Sequence, residues 1–302
     1  MNAVVVGGGA WGCAFAKLLR ERDHDVVLAV RDPSREVPYG LEAVAIGGAP
    51  FAGTDLVVVA VPSRAFRIVV DALPGSAPIL SLVKGLDPDT GCRLSTLVRG
   101  RSVAVLSGPN MAEEVAAGLP GASVVASEDQ SLARELQAAV NSLAFRVYVN
   151  DDLVGVELCG AAKNVVALAA GAVDGLALGD NAKAAVVTRG LAEMARLGEA
   201  CGAVSETFAG LAGMGDLIVS CWHPSGRNRL AGELIARGAT PEQAKERIGH
   251  VVEGLTTAPV LQRLARRLGI DLPITEGVCA VLAGMPLADL ASSLMGRRPT
   301  DE

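Results

Sequence analysis

The sequence predicts an α/β protein, with an N-terminal doubly wound sheet followed by an all-helical C-terminal domain. Three observations carry that prediction. Up to about residue 150, short Val/Ile/Leu runs alternate with amphipathic stretches, the pattern of a parallel sheet covered by helices on both faces. After Asn150-Asp151 the β-branched runs give way to long Ala/Leu/Val segments with helical spacing. The chain's 302 residues, 50% hydrophobic and 20% charged, suffice for about two domains with sizeable cores.

The chain opens with a buried-strand run, Ala3-Val4-Val5-Val6, that leads straight into Gly7-Gly8-Gly9-Ala10-Trp11-Gly12. The glycines fall at the first, third and sixth positions of this turn. Gly7 permits the tight turn, Gly9 lets a pyrophosphate approach the backbone, and Gly12 lets the following helix, Cys13 to about Arg22, pack closely on the strand. That helix offers its free N–H groups to phosphate. A second strand, 25–31, completes a βαβ unit, so the first domain reads as Rossmann-like and dinucleotide-binding. Further strands are expected at 56–61, 78–83, 102–106, 122–126 and 145–149. Helices are expected at 152–173, 181–201, 205–212, 227–237, 241–247, 255–268 and 275–284. No repeat, low-complexity tract or long linker intervenes. The domains are therefore placed at 1–151, dinucleotide-binding, and 152–302, helical and substrate-binding, sharing a cleft through a direct junction near residue 151.

Composition excludes several function classes. A net charge of −6 and 3% aromatic residues supply neither the basic footprint nor the stacking platforms of nucleic-acid binding. Any anionic ligand must be met locally. Six cysteines lack paired metal-type spacing and three histidines are dispersed, so no metal is expected and the chain reads as reduced and cytoplasmic. No stretch is expected to span a membrane, because the most apolar windows carry Lys163 or frequent glycines, and the fold starts at once, leaving no room for a signal peptide.

In open doubly wound sheets, ligands bind beyond the carboxyl ends of the strands. After the first five strands stand the glycine turn, Arg31-Asp32, Pro62-Ser63, Lys84-Gly85 and Ser107-Gly108-Pro109-Asn110. Every one is a turn or polar cluster and two carry cations, which favours a phosphorylated ligand. In the second half, Lys163 lies on a segment apolar on nearly every face. Its nearest acid, Glu157, is six positions back, about two-thirds of the way round a helix, and cannot form a local ion pair. Lys163 therefore either snorkels to water or projects into a polar cleft, where the small neighbours Gly160, Ala161 and Ala162 allow a ligand to approach. Asp216 closes the glycine-rich turn 213–216 and is either a helix cap or a functional carboxylate. Arg227 and Asn228 open another helical stretch, where a guanidinium and free N–H groups suit a phosphate.

The segments GGGAWG, VAVPS, SLVKGL, SGPNMAEEVAAGLP, CGAAKNVVALAAG, GDNAKAAVVTRGLAEM, GLAGMGDL, GRNR and VVEG, in this order and with the C-terminal SSLMGRRPTDE, resemble NAD(P)-dependent sn-glycerol-3-phosphate dehydrogenases over nearly the whole chain. The resemblance implies that Lys163 is the catalytic proton donor and acceptor and Asp216 the substrate-side carboxylate. It implies that Lys84 touches both cofactor and substrate. Gly108, Asn110, Gly226, Arg227 and Asn228 match substrate-binding positions. Gly7, Gly9, Ala10, Trp11, Gly12, Arg31, Ala112, Arg227, Val251 and Glu253 match the side that holds NAD or NADP. Two departures stand out. The segment after Arg31 is shorter than usual, which predicts a more open adenosine side, and Trp222-His223-Pro224-Ser225 precedes Gly226, so that Ser225 offers the family's hydroxyl only with a one-residue shift.

The implied activity is hydride transfer between NAD(P)H and dihydroxyacetone phosphate, giving sn-glycerol 3-phosphate, the head-group precursor of glycerophospholipids. The partner is a phosphorylated small molecule. Oligomeric state is left open, a homodimer included. The rivals are a related hydroxy-acid reductase, which would not require the GRNR cluster, and a catalytically inactive cofactor-binding sensor, which would not require Lys84, Lys163, Asp216 and Arg227 together. Arg31 ends the second strand where NAD-selective folds place an acid. NADPH is therefore expected to serve at least as well as NADH, unless Arg31 merely stacks on the adenine.

Overall fold

The computed structural model describes residues 1–287. The SSLMGRRPTDE stretch therefore lies outside the described residues. Eight strands form one sheet in the order β3-β2-β1-β4-β5-β6-β7-β8. They are β1 Asn2–Val6, β2 Asp25–Val30, β3 Ala43–Ala45, β4 Leu56–Val59, β5 Ile79–Ser81, β6 Val103–Ser107, β7 Gly121–Ser127 and β8 Phe145–Asn150. The central strands β1 and β4 are buried on both faces at nearly every residue, which is why they read as continuous Val runs. Phe15, Leu19, Leu28 and Leu56 fill one side of the sheet, and Phe66, Val59 and Ile79 the other.

Two features correct the expectation of seven parallel strands. β3 pairs with β2 from an Ala/Gly-rich stretch that carries no run of β-branched residues. β6 and β7 run antiparallel. Residues 108–120 between them hold only the five-residue helix α3, Ala112–Ala116, which rises about 7.5 Å and is too short to carry the chain back along the strand for a parallel pairing.

The helices of the first half are α1 Ala10–Arg20, α2 Ser63–Ala72, α3 and α4 Gln130–Val140. Those of the second half are α5 Leu153–Gly175, α6 Gly179–Ala200, α7 Ser205–Ala209, α8 Asp216–Trp222, α9 Arg227–Ala236, α10 Pro241–Ile248, α11 Glu253–Leu268 and α12 Pro273–Leu282. The single helix expected at 205–212 is broken. α7 ends at Ala209, and a π-helical turn, Leu211–Gly215, delivers the chain to α8.

By length and composition alone, α5 qualifies as a membrane span, with 23 residues and a mean hydropathy of 1.6 over its best window, contrary to the expectation that no stretch approaches one. That window is 89% buried, so α5 is a core helix whose apolar faces meet protein.

The chain forms two compact units, one of Met1–Gly160 with Gly202–Asp216, the other of Ala161–Cys201 with Leu217 onward. The units part within α5, and the first unit regains a later segment. Asp152 accounts for that return. Its carboxylate accepts Gly155 N at 2.8 Å at the start of α5, and also Val204 N at 2.9 Å and Thr207 Oγ1 at 2.7 Å. In the second unit α5 and α9 touch backbone to backbone. A Cβ on Gly171 would stand 1.8 Å from Arg229 O, and one on Gly232 1.9 Å from Leu168 O. Only glycine permits that approach, which fixes the start of α9 against α5.

Candidate active site

In the first unit, β1 ends in the predicted glycine turn. Gly7 has φ +123°, and a Cβ there would meet Ala60 O at 2.3 Å. A Cβ on Gly12 would meet Gly7 O at 2.1 Å. Gly9 differs, since a Cβ there would meet nothing within 4 Å among the described residues. Gly9 also caps α1 without a side-chain hydrogen bond, and the first turn of α1 carries no acid. The turn thus presents uncapped N–H groups to open space, and its residues fit the pyrophosphate of a dinucleotide. Trp11 packs on Phe15 edge to face and on the Ala112 cluster of α3, bringing together two of the predicted cofactor-side residues. Its buried Nε1 has no hydrogen-bond partner among the described residues, an orphan donor beside the turn. Arg31 follows the end of β2, whose Ala29 lies beside Val6 and accepts a hydrogen bond from Gly7 N, so Arg31 leaves the sheet next to the glycine turn.

The shortened segment after Arg31 is held at its far end, where Arg20 donates to Tyr39 O at 2.8 Å and Gly40 O at 2.9 Å. Val37 and Tyr39 pack against the same core as Trp11.

Further along the sheet, beyond β5 and β6, a second cluster forms. Lys84 Nζ donates to Gly108 O at 2.9 Å and to the Asp216 carboxylate at 2.7 Å. Asp216 is buried, so this is an ion pair largely withdrawn from water. The Lys84 stem lies against Gly160, where an added Cβ would stand 3.4 Å from Lys84 Cγ. Asn110 is held by its side chain, accepting from Ser123 Oγ at 3.0 Å and donating to Ala122 O at 3.4 Å. Gly108 takes φ +144° beside Ser123, a conformation and a fit that favour glycine.

In the second unit, Lys163 is buried and does not snorkel. Its Nζ donates to Ser220 Oγ at 2.7 Å. Glu157, the acid too far round the helix to reach it, belongs to the first unit. It accepts Arg93 Nη1 and Ser95 N, both at 2.9 Å, as well as Ser95 Oγ, while burial pushes its carboxyl above the usual carboxylate range. Next to Lys163, Asn164 Oδ1 accepts from Asn228 Nδ2 at 2.8 Å, and Asn228 Oδ1 accepts Gly254 N at 2.9 Å. That chain joins α5, the first turn of α9 and the first turn of α11, where Glu253 stands. Val251 precedes α11. Gly226 caps α9 without a side-chain bond, and Arg227, its first residue, is exposed.

Sequence reasoning had no signal for Ser220 or for the Asn164–Asn228 bond, because each depends on which helices meet. It also left Arg229 without a role. Arg229 is buried and donates to Asp174 at 2.7 Å, to His223 O at 3.2 Å and to Pro224 O at 3.0 Å, and so holds the inserted 222–225 turn. Ser225 Oγ lies 3.0 Å from His223 Nδ1, a local use of the hydroxyl.

Residues 33–133 match the family model of the NAD-dependent glycerol-3-phosphate dehydrogenase N-terminus, and residues 152–290 that of the C-terminus. A glycerol-3-phosphate dehydrogenase (NAD(P)+) of Gloeobacter violaceus is 42% identical over 307 residues, covering 100% of this chain and 99% of its own. One from Corynebacterium glutamicum is 39% identical over 326 residues, covering 98% of each. The crystal structure of glycerol-3-phosphate dehydrogenase from Coxiella burnetii superimposes with a TM-score of 0.93 at 34% identity, covering 98% of this chain and 99% of that one.

Proposed function

The chain belongs to the NAD-dependent glycerol-3-phosphate dehydrogenase family, and from that premise we propose that it reduces dihydroxyacetone phosphate to sn-glycerol 3-phosphate, reversibly, with NAD(P)H. The observation that carries the reading is that each unit holds a lysine by oxygen, the first a partly buried Lys84 on Asp216 and Gly108, the second a buried Lys163 on Ser220.

Bound coenzyme supplies the hydride. Lys163 gives its Nζ proton to the oxygen of the reduced carbonyl, and in the reverse direction takes the hydroxyl proton back. Ser220 Oγ fixes the direction in which Nζ points. The positive charge of Lys163 also favours the developing alkoxide, while Lys84, held in place by Asp216, is the first unit's contact to coenzyme and substrate. The phosphate is the remote handle, held by Arg227 and by the uncapped N–H groups at the start of α9. The Asn228 amide is fixed by Asn164 and Gly254, which leaves its second Nδ2 hydrogen and its backbone N–H for the phosphate. Asn110, Gly108 and Gly226 line the substrate side, and Ala10, Trp11, Ala112, Val251 and Glu253 the coenzyme side. A cytoplasmic enzyme supplying glycerophospholipid synthesis is part of this reading, supported by six free cysteines.

The test is oxidation of NADPH and NADH with dihydroxyacetone phosphate beside a panel of keto acids. Turnover of the phosphorylated ketone alone is expected. Preference for a keto acid would replace the proposal with a hydroxy-acid reductase, and coenzyme binding without turnover of any substrate would replace it with a sensor.

A further inference from the structure

The stretch after β2 determines how the coenzyme's adenosine ribose is read, and this inference rests on the coenzyme half of the reading above. In Rossmann-type folds the ribose lies beyond the end of the second strand, where an acid binds the 2′-hydroxyl of NAD or an arginine the 2′-phosphate of NADP. Both residue types occur here side by side, as Arg31 and Asp32. Asp32, however, is engaged locally. Its Oδ1 accepts Ser34 N at 3.1 Å and Ser34 Oγ at 2.6 Å, forming a tight Asx turn around Pro33. These bonds from Ser34, reinforced by the charges of Arg35 and then Arg31, hold the Asp32 carboxyl below its ordinary value. Arg35 directly follows Ser34, the residue that closes this turn, so a second guanidinium stands four positions beyond Arg31 in the same exposed stretch.

The segment is also anchored rather than loose. It leaves β2 beside the glycine turn, Val37 packs on the core, and Arg20 holds the carbonyls of Tyr39 and Gly40. A shorter segment thereby supplies its own second cation close to the strand end. We infer that Arg35, together with Arg31, binds the 2′-phosphate of NADP, and that Asp32 serves as the buckle of the turn rather than as the acceptor for a ribose hydroxyl. Arg35 is the specificity-determining residue that the pattern at the strand end alone does not reveal.

The test uses fragments that contain no nicotinamide, so that it reads binding rather than turnover. Calorimetric titration of the intact protein with 2′-phospho-ADP-ribose and with ADP-ribose is expected to show the phosphorylated fragment binding at least about tenfold tighter, the scale of one charge-assisted contact. Arg35→Ala is expected to remove about tenfold from the phosphorylated fragment and to leave ADP-ribose within about twofold. Asp32→Asn keeps the acceptor for Ser34 and is expected to leave ADP-ribose binding unchanged.

Equal loss of both fragments in Arg35→Ala, or a tenfold loss of ADP-ribose in Asp32→Asn, overturns the inference. So does a wild-type protein that prefers ADP-ribose, although if it still reduces dihydroxyacetone phosphate with NADH the proposed function stands. Folded protein that binds neither fragment removes the coenzyme half of the proposed function, and this inference with it.

Discussion

The two units build their ligand surfaces from different materials. In the first, the working groups are largely backbone, with N–H groups left bare by Gly9, a turn that only Gly7 and Gly12 can close, and the Gly108 carbonyl that receives Lys84. In the second, they are side chains carried by helices, with Lys163 set by Ser220 and Asn164 by Asn228. A backbone site fails when something is added to it. A side-chain site fails when something is removed.

The largest effect is expected from removal in the helical unit. Lys163→Ala should lower turnover by at least about 10²-fold, the usual loss for a positioned general acid, while coenzyme affinity measured by fluorescence titration stays unchanged. Near-normal turnover in a folded variant would take Lys163 out of the mechanism. Next comes the phosphate handle. Arg227→Ala should cost roughly 1.5–3 kcal/mol in kcat/KM for dihydroxyacetone phosphate and little for unphosphorylated dihydroxyacetone, which has no contact there to lose. Equal losses on the two substrates would make Arg227 a structural or coenzyme residue.

Additions to the backbone site sharpen the contrast, because two glycines of the same turn should respond differently. In Gly12→Ala the new Cβ meets Gly7 O, and an overpacked contact of that kind costs about 1–3 kcal/mol of stability, to be read from urea denaturation. In Gly9→Ala the Cβ enters open space, so stability should hold while coenzyme binding weakens. If both variants lose stability equally, the space above Gly9 is not the place where pyrophosphate approaches.

Legibility in the sequence follows the same division. The glycine turn, the strand-end loops and the two-part architecture could be read directly, because backbone geometry restricts residue type at fixed spacing. Lys163 could be singled out because an apolar helix makes a cation conspicuous. Ser220, Asn164 and Arg229 could not, since a serine or asparagine on a helix is ordinary until its partner is known, and the partners come from 57 and 64 residues away for the first two. The antiparallel β7 was hidden for another reason. Its buried run reads the same in either direction, and only the shortness of α3 distinguishes the two pairings. The helix glycines Gly171 and Gly232 give no sign in the sequence of the contact they make between α5 and α9.

The smallest expected effect is a change of slope, and it tests whether a buried acid in the first unit is held neutral or ionised. Glu157 is buried at the Arg93–Ser95 turn, and desolvation raises its carboxyl pKa against the opposing pull of the Ser95 bonds and the Arg93 charge. A folded-state value above the unfolded one means that the native protein binds the proton more tightly. Its contribution to stability is therefore fully present below the unfolded value, near 4.3, and is lost as pH rises through the folded value. Glu157→Gln cannot ionise and should remove this dependence. Urea denaturation at several pH values between 4 and 8 is expected to show the wild type gaining stability relative to the variant as the pH is lowered. The opposite slope, with the wild type gaining as pH rises, would mean that Arg93 and Ser95 outweigh burial and that the carboxylate is ionised in place.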